Sequence, residues 1–138
     1  MGAEQENTAR LKAAWAKWSD TKGADIMMWK DIMTDDVKLF SLADGDERIP
    51  FTAAKTGFAQ VQEYLEGLVA GFSMNLWQID QTVAEGDRVV GIGRTGWTSK
   101  ATGRDFVTPI VIVTRWRDGK MCEYGEYYDT AKVAASTV

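Results

Sequence analysis

The 138-residue chain contains no histidine. Imidazole-based zinc sites are therefore excluded, as is the side chain best suited to proton transfer at neutral pH. Any acid–base work falls to carboxylates, tyrosine, lysine or the cysteine. Cys122 is the single cysteine, which excludes an internal disulfide. Nowhere do about 20 apolar residues run together, and the N-terminal MGAEQENTARLKAAWAKW has no apolar stretch of the kind a secretion signal needs. Basic charge is also scarce: 16 Lys and Arg stand against 20 Asp and Glu, for a net charge of −4, and they form no stripe. That pattern argues against a nucleic-acid partner. These absences lead us to expect a soluble, cytoplasmic protein with no membrane partner.

What is present is centred on Phe106 to Thr130, which reads as a long β-hairpin. Val107, Ile110, Val111, Ile112 and Val113 form a β-branched run, and Asp118-Gly119 supplies a turn that tolerates positive φ. Ile110 and Ile112 point one way and Val111 and Val113 the other, so this strand needs cover on both faces. The returning strand carries Tyr124, Glu126 and Tyr128 on one face and Glu123, Tyr127 and Asp129 on the other. Carboxylates thus sit beside aromatic rings next to a buried strand, where chemistry is most expected.

A single domain spanning 1–138 is expected, long enough to bury roughly two-thirds of the surface its unfolded chain exposes. Leu11, Ala14, Trp15 and Trp18 recur at helical spacing from about Thr8 to Asp20, and Asp25 can cap a second helix carrying Ile26, Met28, Trp29, Ile32 and Met33. Val37 to Leu42 reads as a strand and Ala43 to Pro50 as a loop. The loop's acids, Asp44, Asp46 and Glu47, lack the ligand register of a calcium loop. Gly57 to Val69 is a third helix with Phe58, Val61, Tyr64, Leu65 and Leu68 on one stripe. Strands follow over Trp77 to Val83 and Val89 to Thr98, with Met74 and Leu76 already alternating after Phe72. The fold class is α+β, with three N-terminal helices on one face of a curved, mostly antiparallel sheet.

The ordered set DIMMWKDIMTDDVKL, KTGFAQVQEYLEGL and RWRDGKMCEYGEYYDT resembles the NTF2-like superfamily, in its SnoaL-like and ketosteroid-isomerase-like branch, over Thr8 to Ala131. The resemblance implies a cone-shaped, cystatin-like fold around a mostly apolar pocket, and a homodimer through the outer sheet face. It also places the isomerase's three catalytic groups at Ser41, at Ile112 and near Trp15, none of which preserves the chemistry. Scytalone dehydratase, another relative, uses histidines that this chain lacks. The Arg-x-Asp spacing of related epoxide hydrolases is replaced by Arg94-Thr95-Gly96.

In the same register the inward positions are Trp15, Met33, Ser41, Tyr64, Leu65, Val90, Ile92, Arg94, Thr108, Ile110, Ile112, Tyr124, Glu126 and Tyr128. This lining suits a small apolar molecule held by few polar contacts, with no cofactor and no metal. For Arg94 and Glu126 three readings stand: both exposed after a one-residue slip in register, a mutually satisfied buried pair, or a catalytic pair. In the catalytic reading Glu126 is the general acid or base, with Arg94 setting its charge and Tyr128 donating to a developing oxyanion. The rival to a SnoaL-like isomerase, cyclase, dehydratase or hydrolase is a binding domain that does no chemistry. Asp129 suits backbone hydrogen bonding. Gly91 to Gly96 matches GxGxxG but lies inside a strand, so a dinucleotide site is not expected. Cys122 reads as an inert thiol, and Trp77 and Trp97 as core or dimer-face residues.

Overall fold

A computed structural model describes residues 2–138. Helix α1 (Ala3–Asp20) leads through a turn with Lys22 and Gly23 at positive φ into a 3-10 helix, Ile26–Ile32. Strand β1 (Met33–Ser41) follows directly. A loop ending in the short 3-10 turn Pro50–Thr52 leads to β2 (Lys55–Thr56) and then α2 (Phe58–Gly71). Strands β3 (Phe72–Glu85), β4 (Arg88–Ser99), β5 (Asp105–Arg117) and β6 (Lys120–Tyr128) complete the sheet, and α3 (Thr130–Ser136) ends the chain.

The sheet order is β2-β1-β6-β5-β4-β3. All neighbours are antiparallel except β1 and β6, which run parallel with Ser41 opposite Glu126. Helix α1 lies against β3 and β4 and α2 against β1 and β2, so one face of the curved sheet is covered. Leu11, Val37, Val61, Ile112 and Met121 are completely buried between these layers. No described helix is long and apolar enough to cross a membrane.

The three expected N-terminal helices become two α-helices and a 3-10 segment. The expected second helix keeps its buried stripe of Met28, Trp29 and Met33 but closes as a 3-10 helix over Ile26–Ile32, and Met33 already opens β1. Helix α1 begins five residues before the expected Thr8, and α3 was not anticipated. Asp129 caps α3, accepting a hydrogen bond from the Lys132 backbone N–H at 3.1 Å. The loop acids are likewise structural. Asp44 accepts from the Ala54 N–H and Asp46 from the Arg48 N–H, and no metal-ligand cluster occurs among the described residues.

Candidate functional site

The hairpin turn at Asp118-Gly119, both at positive φ, pairs Trp116 with Met121, and an extra residue, Cys122, before the Arg115–Glu123 pair shifts β6 so that Tyr124, Glu126 and Tyr128 share the covered face. Glu126 is only 7% exposed. The Ser41 hydroxyl reaches it from the parallel strand, donating to Oε1 at 2.9 Å, and the Tyr64 hydroxyl donates to the same oxygen from α2. Tyr128 Oη lies 2.5 Å from Ser41 Oγ. Ser41 has one proton, already given to Glu126, so Tyr128 is the donor in that contact. The result is a directed hydroxyl chain, Tyr128 to Ser41 to Glu126, with Tyr64 closing the other side.

Burial raises the Glu126 carboxyl above its ordinary value, while the hydrogen bonds from Tyr64 and Ser41 pull it partly back. Tyr128 is pushed up to about 12, first by burial and then by the neighbouring carboxylate. Tyr64 and Tyr124 lie well above the usual phenol value, each chiefly through burial and secondly through the Glu126 charge. One ionisable carboxyl thus sits among three neutral phenols.

Two cavities flank Glu126. One, of about 60 Å³, extends toward Phe51, Phe106 and Val133, and the other, of about 30 Å³, toward Trp18, Trp29 and Tyr124. Tyr64, Leu68, Trp77 and Glu126 wall both. A single water needs about 10–15 Å³ of such space, so the two chambers admit small molecules or compact parts of larger ones.

Thr108 and Ile110 line the larger cavity, and Met33, Leu65 and Tyr124 the smaller. Ser41 and Ile112 are fully buried behind the walls, and Trp15 faces a groove between α1 and β3. Arg94 does not meet Glu126: it is exposed and donates to Gln78 Oε1 at 3.1 Å. Val90 and Ile92 turn outward with it, because the covered positions of β4 are Val89, Gly91, Gly93, Thr95 and Trp97. The pairing of Arg94 with Glu126 is therefore corrected to Ser41 and Tyr64 on Glu126. A Cβ at Gly91 would lie 2.3 Å from the Trp15 ring, so the glycine makes room for that indole.

Trp77 is the chief wall residue not anticipated. Its inward aim depends on an extra residue, Asn75, between the Met74–Trp97 and Leu76–Gly96 pairs, which switches the alternation of β3. The indole nitrogens of Trp29 and Trp77 are buried with no hydrogen-bond partner, and that of Trp15 has only the Tyr124 hydroxyl beside it.

No curated protein matches the chain. Among solved structures, an NTF2-like protein from Burkholderia xenovorans is similar, with 24% identity over 99% of this chain and 98% of that one and a TM-score of 0.78. An NTF2-like protein of unknown function from Burkholderia pseudomallei shares 17% identity over 96% and 98% of the two chains, with a TM-score of 0.79. A protein of ketosteroid isomerase-like fold from Catenulispora acidiphila, crystallised in complex with trimethylamine, shares 20% identity over 92% and 90%, with a TM-score of 0.73. At such identities these likenesses speak to the fold. The model of the SnoaL-like domain matches residues 9–124, and the chain accordingly belongs to the SnoaL-like family.

Proposed function

We propose that the protein is a small-molecule enzyme that carries out cofactor-independent acid–base chemistry on an apolar substrate, with Glu126 as the group that takes up and returns the proton. The supporting observation is a buried carboxyl of raised pKa, held on one oxygen by Ser41 and Tyr64 at the wall of two apolar chambers. A carboxyl lifted toward neutrality is a stronger base when ionised and a usable acid when protonated. Tyr128, through Ser41, supplies a path by which the proton re-equilibrates. Isomerisation, cyclisation, dehydration and hydration all need such a group.

The test is hydrogen–deuterium exchange at activated carbons in a panel of small ketones and enones, followed by NMR. Glu126→Gln is expected to lower exchange by about 10²–10⁴-fold. With Glu126 as base, the rate rises as pH passes the raised carboxyl value. Stability responds in the opposite sense. Because the folded value lies above the unfolded one, the contribution of Glu126 is complete below its ordinary 4.5 and is lost as pH rises through the folded value. Tm should fall across that window, and Glu126→Gln should flatten the slope. Equal exchange rates in the two proteins would end the catalytic assignment.

A second reading, a binding domain without catalysis, is favoured by the smaller chamber, where Trp18, Trp29, Trp77, Tyr64 and Tyr124 surround one carboxylate. Aromatic faces around a negative charge suit an alkylammonium ion, and the similar Catenulispora protein was crystallised with trimethylamine. Calorimetric titration with trimethylammonium chloride separates the readings: binding abolished by Glu126→Gln, without carbon-acid exchange, supports this one.

A homodimer is part of the proposal. Phe40 and Tyr127 on the outer sheet face have ring centroids 5.7 Å apart, and beside them lie Val111, Val113, Val90 and Ile92, with Val107 48% exposed. A second copy of the same face would cover both surfaces. Sedimentation should give a dimer that Val111→Lys dissociates.

A further inference from the structure

A surface groove of about 400 Å³ runs between α1 and β3. Lys12, Trp15, Ser19 and Asp20 form its helical wall, and β3 from Trp77 to Thr82 forms the other. The groove has a single lining residue in common with the two chambers beside Glu126, and that residue is Trp77. One indole ring therefore stands between the solvent-facing groove and the buried carboxyl.

The strand is irregular on both sides of that ring, with Asn75 and Asp80 as extra residues opposite β4. Bulges interrupt the ladder, bend the strand and re-aim side chains, so the aim of Trp77 is set by a short paired segment, Leu76 to Ile79, between two interruptions. Trp77 is 9% exposed, and its indole N–H is buried without a partner. An unpaired donor in a residue that floors the groove calls for an acceptor that the described residues do not supply. The groove's remaining surface is polar without a dominant charge: Lys12 and Asp20 lie about two helical turns apart on α1, and Asp80 already accepts from Gln78 Nε2 at 2.7 Å.

We propose that this groove is an outer subsite continuous with the Glu126 chambers, with Trp77 as the movable partition. Its ligand is an elongated neutral molecule. A compact apolar head bearing a carbonyl oxygen passes Trp77 and accepts from its indole N–H, while an amide- or hydroxyl-bearing tail remains between α1 and β3. The head is small because the chambers measure only about 60 and 30 Å³. This inference rests on the chambers being the ligand site.

The test uses the ¹⁵N-labelled full chain and two probes, 2-pentanone as head alone and N-methyl-4-oxopentanamide as head with tail. Trp77→Phe assigns the Trp77 indole signal. Both probes are expected to shift that signal. The amide probe should also shift the backbone amides of Gln78, Asp80 and Gln81 and bind at least tenfold more tightly. Ala16→Gln fills the groove from an exposed helix position and should remove that tenfold gain while leaving 2-pentanone unaffected. An amide probe no tighter than 2-pentanone, or one whose gain survives Ala16→Gln, overturns the outer subsite and leaves the chamber reading intact. Shifts confined to the groove amides overturn the continuity through Trp77. No shift with either probe overturns both the subsite and the chamber reading.

Discussion

Five of the six tryptophans fall into two groups. On β4 and β5 the pattern Thr-x-Trp occurs twice, and in both cases the indole N–H donates to the threonine two residues before it: Trp97 to Thr95 at 2.7 Å and Trp116 to Thr114 at 2.8 Å. Each threonine hydroxyl in turn donates to a carbonyl on a neighbouring strand, Leu76 or Val89. Trp15, Trp29 and Trp77 are equally buried, yet their N–H groups have no such threonine to donate to, and only Trp15 has a hydroxyl, that of Tyr124, beside it. The first group is closed in on itself and serves the sheet. The second leaves hydrogen-bonding capacity around Glu126 and the groove, which water or a ligand can complete.

The sharpest way to disturb the second group is Gly91→Ala. Its Cβ would lie 2.3 and 2.8 Å from atoms of the buried Trp15 ring, so we expect a loss near the upper end of overpacking costs, about 3 kcal/mol, in urea unfolding. The first group is broken by Thr114→Val, which keeps the shape but strands the Trp116 N–H and the Val89 carbonyl in a fully buried place. About 1–3 kcal/mol should be lost, turning Trp116 into a tryptophan of the second kind. The smallest effect is the most direct comparison. Trp97→Phe and Trp116→Phe forfeit a hydrogen bond that Trp29→Phe and Trp77→Phe do not, so the first pair should cost about 1 kcal/mol more than the second. Equal costs would erase the distinction.

The legibility of the site in the sequence followed the same division. On β5 the side chains alternate without interruption, and on β6 they do so from Glu123 onward, past the extra residue Cys122, so the inward aim of Thr108, Ile110, Ile112, Tyr124 and Glu126 could be read within each strand. On β4 the covered positions include Gly91 and Gly93, which offer no apolar side chain to count. Val90 and Ile92 therefore read as the inward pair although they face out, and they carried Arg94 with them. Trp77 was hidden by a bulge, since a strict period of two cannot register an extra residue. Helix α3 was missed because Val133 and Ser136 are its only buried residues, leaving no stripe to detect. Nothing in the spacing announced that Ser41 and Tyr64 would hold Glu126. Those contacts span 85 and 62 residues and exist only once the sheet has closed.

That closure has a kinetic consequence. The β1–β6 pairing joins segments near opposite ends of the chain, and long-range pairings of this kind form slowly because the loop entropy is lost before the contacts compensate for it. The strand that brings the Ser41 hydroxyl to Glu126 is the one whose docking completes the sheet between β2 and β6. A chain caught before that step has its β3–β5 meander and its apolar surfaces but an unsupported carboxylate. With the Glu126 site as proposed, recovery of ligand binding after dilution from urea should lag behind recovery of strand signal.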